Sequence, residues 1–215
     1  MQLSSPLHLR HIATHLKRAD HKLAAMIEQV GPCRFTTRGE GTHFDAVARA
    51  IVYQQLSGKA AATIYGRFVS LFGAETPVAR QLLALSDEKL RSVGLSRQKS
   101  GYLRDLATRV HDGMVPIETL HELSDQEIIT ALTSVKGVGR WTAQMFLIFR
   151  LGRPDVLPEL DLGIQKAIQR AYRLRAHPTP KRVLAIGAKW APYRSIASWY
   201  LWRSLDSAAE YRQGK

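Results

Sequence analysis

The sequence predicts an all-α fold, and three observations support that prediction. Apolar residues recur at three- and four-residue steps through most of the 215 residues, which is the period of an amphipathic helix. Helix start and stop signals separate these segments, whereas no pair of alternating strands joined by a hairpin turn is found. With 45% hydrophobic and 23% charged residues, the chain has enough apolar side chains to build a buried core.

Local signals place the individual helices. The first segment, 6–30, has one apolar face and ends at Gly31-Pro32, after which 32–42 is predicted to be a loop. Pro77 suits the first turn of a short helix, and Ser124 with Glu127 forms a capping-box pattern that opens a helix over 125–134. The other predicted helices, bounded by similar signals, cover 42–55, 58–72, 86–94, 96–111, 140–150, 161–174, 180–190 and 193–207.

The charge distribution indicates a polyanionic partner. Residues 136–215 carry 15 Lys and Arg against 5 Asp and Glu, whereas residues 1–135 carry 16 against 13. A basic region on an otherwise nearly neutral body favours nucleic acid, with an anionic membrane as the alternative. The single cysteine, Cys33, excludes an internal disulfide, a Cys-ligated iron–sulfur cluster and a multi-cysteine zinc site. Neither a membrane span nor a signal-peptide core is found, so we expect an intracellular protein, cytoplasmic or at the nucleoid.

The strongest local motif is Ser134-Val135-Lys136-Gly137-Val138-Gly139-Arg140-Trp141-Thr142-Ala143, between two predicted helices. The two glycines permit a tight turn whose backbone N–H groups, with the N-terminus of the following helix, can bind a phosphate. Lys136 and Arg140 add positive charge beside that turn. The alternative is a plain helix corner, but the flanking cations in a basic region favour phosphate binding.

This motif, from Leu132 to Ala143, resembles the helix-hairpin-helix of the DNA glycosylase superfamily, in which a Gly/Pro-rich loop and an aspartate follow the hairpin. Here the loop is 152–160, and Asp161 stands at the position of the catalytic aspartate. The branch that the chain resembles most is 3-methyladenine DNA glycosylase II. The similarity extends over roughly 42–207 and includes Gly-Arg-Trp-Thr-Ala (139–143), Pro-x-Arg-Ser (192–195) leading to Trp202, and Gln-Gln-Leu…Ala-Ala (54–61).

The resemblance implies two helical lobes with a DNA-binding cleft, the helix-hairpin-helix DNA glycosylase fold. Residues 37–152 are expected to form the lobe that carries the hairpin. Residues 1–36 and 153–215 are expected to form the other lobe from both termini of the chain. A compact protein of this kind is expected to act as a monomer on double-stranded DNA that contains alkylated bases.

The implied reaction is excision of alkylated purines, such as 3-methyladenine and 7-methylguanine, after the base has been flipped out of the duplex. Because methylation gives the purine a positive charge, it leaves readily, and one carboxylate can stabilise the oxocarbenium ion and direct water to C1′. Asp161 is the candidate catalytic residue, although its local sequence equally predicts a helix N-cap. Of the neighbouring carboxylates, Asp155 is interpreted as ordering the turn at Pro154, and Glu159 as exposed or supporting the site.

Aromatic side chains in the resembling branch imply a base pocket formed by Trp141 and Trp202, whose indole faces can stack on a cationic purine. Met145 and Tyr53 are further candidates for its wall, and ordinary core packing is the alternative for each. Leu56 is the candidate wedge that fills the space left by the flipped nucleotide. The predicted DNA-contacting residues are Lys136, Gly137, Val138, Gly139, Arg140, Thr142, Gln55, Leu56, Ser57, Lys59, Gly94 and Ser96.

One departure from relatives concerns the nucleophile. Relatives with lyase activity carry a lysine two residues beyond the second hairpin glycine, where this chain has Trp141, so we expect a monofunctional enzyme without a cofactor. No side-chain metal site is expected, and the resemblance allows only a monovalent cation on hairpin carbonyls near Gly137 and Gly139. Two alternatives stay open: a glycosylase of this fold for uracil or a mispaired base, and a non-enzymatic helix-hairpin-helix DNA-binding protein.

Overall fold

The computed structural model describes residues 5–73 and 76–213, and within these ranges the regular structure is entirely helical, which confirms the predicted fold class. No helix in the described ranges is long and apolar enough to cross a membrane. Short 3₁₀ turns occur at Leu120–Glu122 and Ala188–Trp190. The α-helices of the described chain are α1 (Pro6–Ala19), α2 (His21–Val30), α3 (His43–Tyr53), α4 (Gly58–Ser70), α5 (Ala79–Ala84), α6 (Asp87–Ser92), α7 (Arg97–His111), α8 (Asp125–Thr133), α9 (Arg140–Phe149), α10 (Leu162–Ala171), α11 (Pro180–Gly187) and α12 (Arg194–Gln213).

The chain divides into two compact units, Gly39–Phe146 and the described residues of Met1–Arg38 with Leu147–Lys215. The boundary between Phe146 and Leu147 lies earlier in the chain than residue 152, where the sequence suggested that this lobe ends. The reason is that the end of α9 packs with the N-terminal segment. The Phe149 ring stacks on Phe35 with centroids 5.9 Å apart, and the Phe149 carbonyl accepts the Arg38 N–H at 2.7 Å. Residues 1–4 and 214–215 of the predicted terminal lobe lie outside the described residues.

Hydroxyl N-caps begin most helices of the unit Gly39–Phe146. Each cap oxygen accepts a backbone N–H of the first turn, which satisfies a donor that has no partner inside the helix. Ser124 and Glu127 complete the capping box at α8, as the sequence predicts. The other capping residues are Thr42 for α3, Ser57 for α4, Ser86 for α6 and Ser96 for α7. The apolar faces of these helices form the core of the unit, with Phe44, Ile51, Phe68, Leu103, Leu106, Ile128 and Leu132 buried.

The other unit packs α12 against α2 and α10, and α1 against α2. Its core residues are spaced at helical intervals on each element, as periodic apolar faces require. The buried side chains of α1, α2, α10 and α12 that form this core include Leu9, Ile12, Leu16, Leu23, Ile27, Ile164, Ile168, Ile196 and Tyr200.

Two helix ends differ from their predictions. Pro77 lies ahead of α5 rather than in its first turn, because the extended residue Val78 (φ −129°, ψ 153°) is the N-cap. The predicted helix 180–190 is α11 followed by the 3₁₀ turn at Ala188–Trp190, which tightens the chain where Trp190 enters the core.

Asp20 divides the predicted helix 6–30 into α1 and α2. Its backbone is extended (φ −152°, ψ 109°), and its carboxylate accepts the N–H groups of Lys22 at 2.9 Å and Leu23 at 3.4 Å, which starts α2. Because the apolar period continues across this break, the pattern of hydrophobic residues does not reveal it. The prediction of one helix is therefore wrong, and the reason is a buried polar contact.

The Asp20 carboxylate, only 2% exposed, also joins distant parts of its unit. It accepts hydrogen bonds from the Tyr172 hydroxyl and, at 2.7 Å, from Trp190 Nε1, and Lys189 Nζ lies 3.2 Å away. Burial acts to raise the pKa of Asp20, but the hydrogen bonds from Tyr172, Trp190 and the Lys22 N–H outweigh it and lower the pKa overall. The folded protein therefore holds this carboxylate in its charged form.

We expect Asp20→Asn to lower the free energy of unfolding by about 3 kcal/mol at neutral pH, because the Lys189 ammonium and the buried donors lose a charged acceptor. Since the folded pKa lies below the unfolded value of about 3.9, the wild-type carboxylate stabilises the fold above that pH. This stabilisation is lost as the pH falls through the folded pKa. Urea unfolding at several pH values between about 7 and 3 measures both effects.

The matched control is Glu28→Gln, which removes an exposed carboxylate that pairs with Lys17 at 3.4 Å. It is expected to change the free energy of unfolding by less than about 0.5 kcal/mol. A wild-type stability and an unchanged pH dependence for Asp20→Asn would show that this carboxylate does not organise the unit.

Candidate functional site

Asp161 stands at the start of α10, where it is the N-cap (φ −71°, ψ 122°). Its Oδ1 atom accepts the backbone N–H of Ile164 at 2.8 Å and the indole N–H of Trp202 at 2.9 Å. The alternative reading of Asp161 as an N-cap is therefore correct as a description of the helix. It also means that two donors hold the carboxylate in one orientation.

Trp202, on α12, reaches Asp161 because the chain leaves room for its indole. Phe149 stacks on the indole with ring centroids 5.7 Å apart and an interplanar angle of 30°. At Gly163 an added Cβ would lie 2.9 Å from the Asp161 Oδ1 atom and 3.0 Å from Trp202 Cδ1, which is too close for a side chain. Since Phe149 covers one indole face, stacking of a base on Trp202 is restricted to the opposite face.

The loop that leads to Asp161 is clamped by the first residues of α12. Arg194 forms a bidentate ion pair with Asp155, with Nε–Oδ1 and Nη2–Oδ2 distances of 2.7 Å and 2.9 Å. The Ser195 hydroxyl donates to the Arg153 carbonyl at 2.6 Å and accepts the Val156 N–H at 3.0 Å. These contacts explain the Pro-x-Arg-Ser motif as a device that fixes the loop before the candidate catalytic residue.

The two other carboxylates of the loop have structural positions. Asp155 orders the loop through its ion pair with Arg194, as the sequence predicts. Glu159 is only 6% exposed, so its interpretation as an exposed residue is wrong. Its backbone carbonyl accepts the Gln165 side-chain amide at 3.1 Å, which ties the end of the loop to α10.

In the other unit, the predicted hairpin lies between α8 and α9. Gly137 has a positive φ of 80°, whereas Gly139 does not. Val138 is 4% exposed, and its N–H donates to the Val135 carbonyl at 3.0 Å, so its side chain belongs to the core. Within residues 5–73 and 76–213, the N–H groups of Gly137 and Gly139 find no acceptor in the protein, which leaves both for an anion.

Helix α7 packs against the hairpin through Tyr102 and Asp105. The Tyr102 ring lies against Gly137, where any Cβ would overlap it. Asp105 accepts the Lys136 backbone N–H at 2.8 Å, and its other oxygen lies 3.8 Å from Lys136 Nζ. Burial acts to raise the pKa of Asp105, but these contacts and Arg109 lower it overall. Sequence reasoning missed both residues, because neither belongs to a motif.

The turn between α3 and α4 is attached to the hairpin. Gln54 Nε2 donates to the Gly137 carbonyl at 2.8 Å. An N–H donor against this oxygen makes the carbonyl a poor ligand for the monovalent cation predicted there. The described residues also contain no group of three or more His, Cys, Asp or Glu side chains placed to hold a metal ion. The same hydrogen bond from Gln54 makes the α3–α4 turn and the hairpin, both predicted to contact DNA, direct neighbours.

Beyond Gln54, the chain turns sharply toward solvent. Gln55 has a positive φ of 56°, and Leu56 is 37% exposed, so Leu56 is not a core residue. The Ser57 hydroxyl caps α4 by accepting the Ala60 N–H at 3.5 Å, and Lys59 is exposed on the first turn. The position of Leu56 at the tip of this turn is compatible with its predicted role as a wedge.

Two residues predicted to contact DNA ahead of α7 have structural roles. Gly94 adopts a φ of 95°, and a Cβ there would lie 3.2 Å from Ile64 Cγ1. The Ser96 hydroxyl accepts the Lys99 N–H at 3.2 Å and caps α7. The glycine and the serine are therefore explained by the turn itself.

The predicted base-pocket residues are distributed over both units. Trp141 is 45% exposed on the first turn of α9, and Met145 is half-buried one turn later on the same helix. Tyr53 is half-buried, and the Arg49 guanidinium covers its ring at 4.9 Å from the centroid. That face of Tyr53 is therefore not available to a cationic purine, because a second cation would be repelled.

Comparison with known proteins agrees with this geometry. Residues 48–193 match the model of the HhH-GPD superfamily base excision DNA repair proteins. The sequence is 35% identical over 197 residues to DNA-3-methyladenine glycosylase 1 of Schizosaccharomyces pombe, across 90% of this chain and 86% of that protein. The chain belongs to the HhH-GPD superfamily.

Solved structures of HhH-GPD relatives share the fold over nearly the whole chain. The 3-methyladenine DNA glycosylase of S. pombe, in complex with abasic DNA, is similar with a TM-score of 0.80 at 35% identity, covering 90% of this chain and 95% of that one. A DNA-3-methyladenine glycosidase from Bacillus halodurans has a TM-score of 0.83 at 35% identity, covering 98% and 94%. The HhH-GPD fold that the hairpin motif implied is thereby confirmed.

The two hairpin glycines are expected to respond differently to alanine. Gly137→Ala should lower the free energy of unfolding by about 2 kcal/mol or more, because of its positive φ and the overlap with Tyr102. Gly139→Ala should stay within about 0.5 kcal/mol of wild type, since its Cβ would meet no atom within 4 Å. Urea unfolding measures both values.

Gly139→Ala is therefore the variant that tests the hairpin as a DNA contact. Affinity for undamaged duplex should fall about tenfold or more, because the methyl group blocks the approach of a phosphate to the backbone. Fluorescence anisotropy over a range of salt concentrations measures it. A stable Gly139→Ala protein with wild-type affinity would reduce the hairpin to a helix corner.

Proposed function

We propose that the protein is a base-excision-repair DNA glycosylase that hydrolyses the N-glycosidic bond of alkylated purines, with Asp161 as its catalytic carboxylate. The observation that carries this proposal is the double hydrogen bond to Asp161 Oδ1, from the Ile164 N–H and the Trp202 indole. A carboxylate that acts on a developing charge must already be oriented before the reaction begins. The names of the similar glycosylases support alkylated purines as the substrate class.

The chemistry needs only one oriented carboxylate. Methylation at N3 or N7 puts positive charge on the purine, so the base departs as a neutral molecule and leaves oxocarbenium character on the sugar. Asp161 stabilises that charge and directs a water molecule to C1′, where the new C–O bond forms.

DNA is held by the hairpin of the other unit. The N–H groups of Gly137 and Gly139 bind one phosphate, and the exposed Arg140 side chain adds positive charge. Leu56, at the tip of the neighbouring turn, fills the space of the flipped nucleotide while Gln55 hydrogen-bonds the orphaned base. Trp141 and the uncovered face of Trp202 are the surfaces that stack on a cationic purine.

The residue two positions beyond the second hairpin glycine, Trp141, supports a monofunctional reaction. Trp141 has no amine with which to form a Schiff base, and the Lys136 backbone and side chain are both engaged by Asp105. The product is therefore an intact abasic site. The protein acts as a monomer on DNA inside the cell.

The arrangement around Asp161 disfavours a purely DNA-binding role. A protein that only binds DNA needs the hairpin, but it does not need a glycine that leaves space for an indole to hydrogen-bond a carboxylate. Gly163 and Trp202 serve that purpose here, since a Cβ at Gly163 would contact both partners.

Asp161→Asn tests the catalytic assignment without removing the N-cap, because the Asn Oδ1 atom can still accept the Ile164 and Trp202 donors. Single-turnover excision from a duplex with one 3-methyladenine or 7-methylguanine should fall about a hundredfold or more. Affinity for the same duplex should change by less than about threefold. A variant with more than about a third of the wild-type rate would remove Asp161 from the mechanism.

Trp202→Phe separates orientation from stacking in the same assay. Phenylalanine keeps an aromatic ring beside Phe149 but donates no hydrogen bond to Asp161. An intermediate loss of about tenfold in the single-turnover rate is expected, with the fold retained.

Borohydride trapping tests the monofunctional reaction. Incubation with alkylated duplex and borohydride should produce no protein–DNA crosslink, and strand breaks should form only after alkali is added. A covalent crosslink would require a Schiff base and would overturn this part of the proposal.

A further inference from the structure

We propose that Lys99, on α7, is a positioning residue for base flipping: it fixes the 54–57 turn against the hairpin so that the wedge and the phosphate contact act together. This inference rests on the proposed glycosylase function, and all its contacts lie within the unit Gly39–Phe146. Lys99 follows the predicted DNA-contacting residues Gly94 and Ser96 in the sequence, and its contacts do not include the predicted reacting atoms.

The Lys99 ammonium group caps the C-terminal end of helix α3. It donates to the carbonyls of Val52 and Gln54, each at 2.7 Å, and so satisfies two acceptors that have no partner inside a helix. An ammonium at a helix C-terminus also interacts favourably with the helix dipole. Burial lowers the pKa of Lys99, so the protein accepts a desolvation cost to keep this cation under the turn.

Gln54 connects Lys99 to the hairpin and to the next residue of the turn, Gln55. Its carbonyl binds Lys99, whereas its side-chain amide binds the Gly137 carbonyl at 2.8 Å. The next residue, Gln55, is held at a φ of 56°, a left-handed conformation that is unfavourable for a non-glycine residue. Such a turn stays in place only when its neighbours fix it. Lys99 fixes one side of it, and the Ser57 cap fixes the other.

The same helix holds the hairpin. Tyr102 and Asp105 follow Lys99 at intervals of three residues, so the three side chains lie along one region of the α7 surface. Tyr102 lies against Gly137, and Asp105 accepts the Lys136 N–H at 2.8 Å. Helix α7 therefore holds both the 54–57 turn and the hairpin in fixed positions.

These separate contacts of α7 determine which function is lost when Lys99 is replaced. The hairpin remains on Tyr102 and Asp105, so it still binds phosphate. The 54–57 turn loses its two charge-assisted hydrogen bonds, so Leu56 no longer enters the duplex from a fixed position. Flipping is impaired, whereas binding and the chemical step at Asp161 are not.

The test uses Lys99→Met, which keeps the length of the side chain and removes its charge. The substrate is a duplex with one 7-methylguanine next to 2-aminopurine, whose fluorescence rises when its neighbour leaves the stack. We expect the fluorescence amplitude and the single-turnover rate to fall about tenfold, with affinity for undamaged duplex within about threefold of wild type. When the lesion stands opposite an abasic analogue, which lowers the cost of unstacking, the rate should recover to within about threefold.

Three further variants complete the experiment. Lys99→Arg should restore most of the rate, because a guanidinium can also donate to two carbonyls. Lys17→Met, at an exposed ion pair, is the matched lysine control and should behave as wild type. If Lys99→Met does not fold, Gln54→Ala decides, since it removes only the surface amide that joins the turn to Gly137 and should show the same selective loss of flipping.

The outcomes separate the two proposals. Wild-type flipping and excision by the folded Lys99→Met or Gln54→Ala protein would overturn the positioning role and leave the glycosylase function intact. An equal loss of affinity, flipping and rate, with no recovery opposite the abasic analogue, would also overturn it by showing general damage to the fold. Absence of excision by the wild-type protein would instead contradict the proposed function.

Discussion

A catalytic carboxylate must be held in one orientation, and the surroundings of Asp161 meet that requirement at several levels. One oxygen accepts the Ile164 N–H and the Trp202 indole N–H, at 2.8 Å and 2.9 Å. The indole is positioned by the stack on Phe149, and Gly163 leaves the space that it occupies. Because this orientation is established before substrate arrives, the proposed reaction spends no free energy on arranging the carboxylate.

The loop before Asp161 extends the same arrangement. Arg194 and Ser195 hold it through Asp155, Arg153 and Val156, and they belong to the helix that also carries Trp202. One helix, α12, thus fixes both the approach to Asp161 and the donor that orients it. This explains why a Pro-x-Arg-Ser motif and a tryptophan occur at a short distance from each other in the sequence.

Features of the sequence that act over a few residues could be predicted. The helices, the capping box at Ser124, the hairpin and the place of Asp161 at a helix start all depend on neighbours within one or two turns. The break at Asp20 could not be predicted, since its carboxylate is held by Tyr172 and Trp190 from far along the chain. Propensity and periodicity contain no information about such contacts.

The hairpin shows the same distinction within one motif. Gly137 and Gly139 look equivalent in the sequence, but Tyr102 and a positive φ require the first, whereas the second faces open space. The supports of the hairpin, Tyr102, Asp105 and Gln54, are single residues of common types outside any motif, and only the tertiary structure brings them to it. The hairpin motif itself was therefore easier to locate from the sequence than the residues that hold it in place.

The most direct test of the central claim is the profile of bases that the wild-type protein releases from methylated duplex DNA, resolved by chromatography. The account predicts release of 3-methyladenine and 7-methylguanine, with unmodified purines released far more slowly because neither departure nor stacking is assisted by charge. Release of no base at all, or a profile dominated by uracil or 8-oxoguanine from duplexes that contain those lesions, would contradict it.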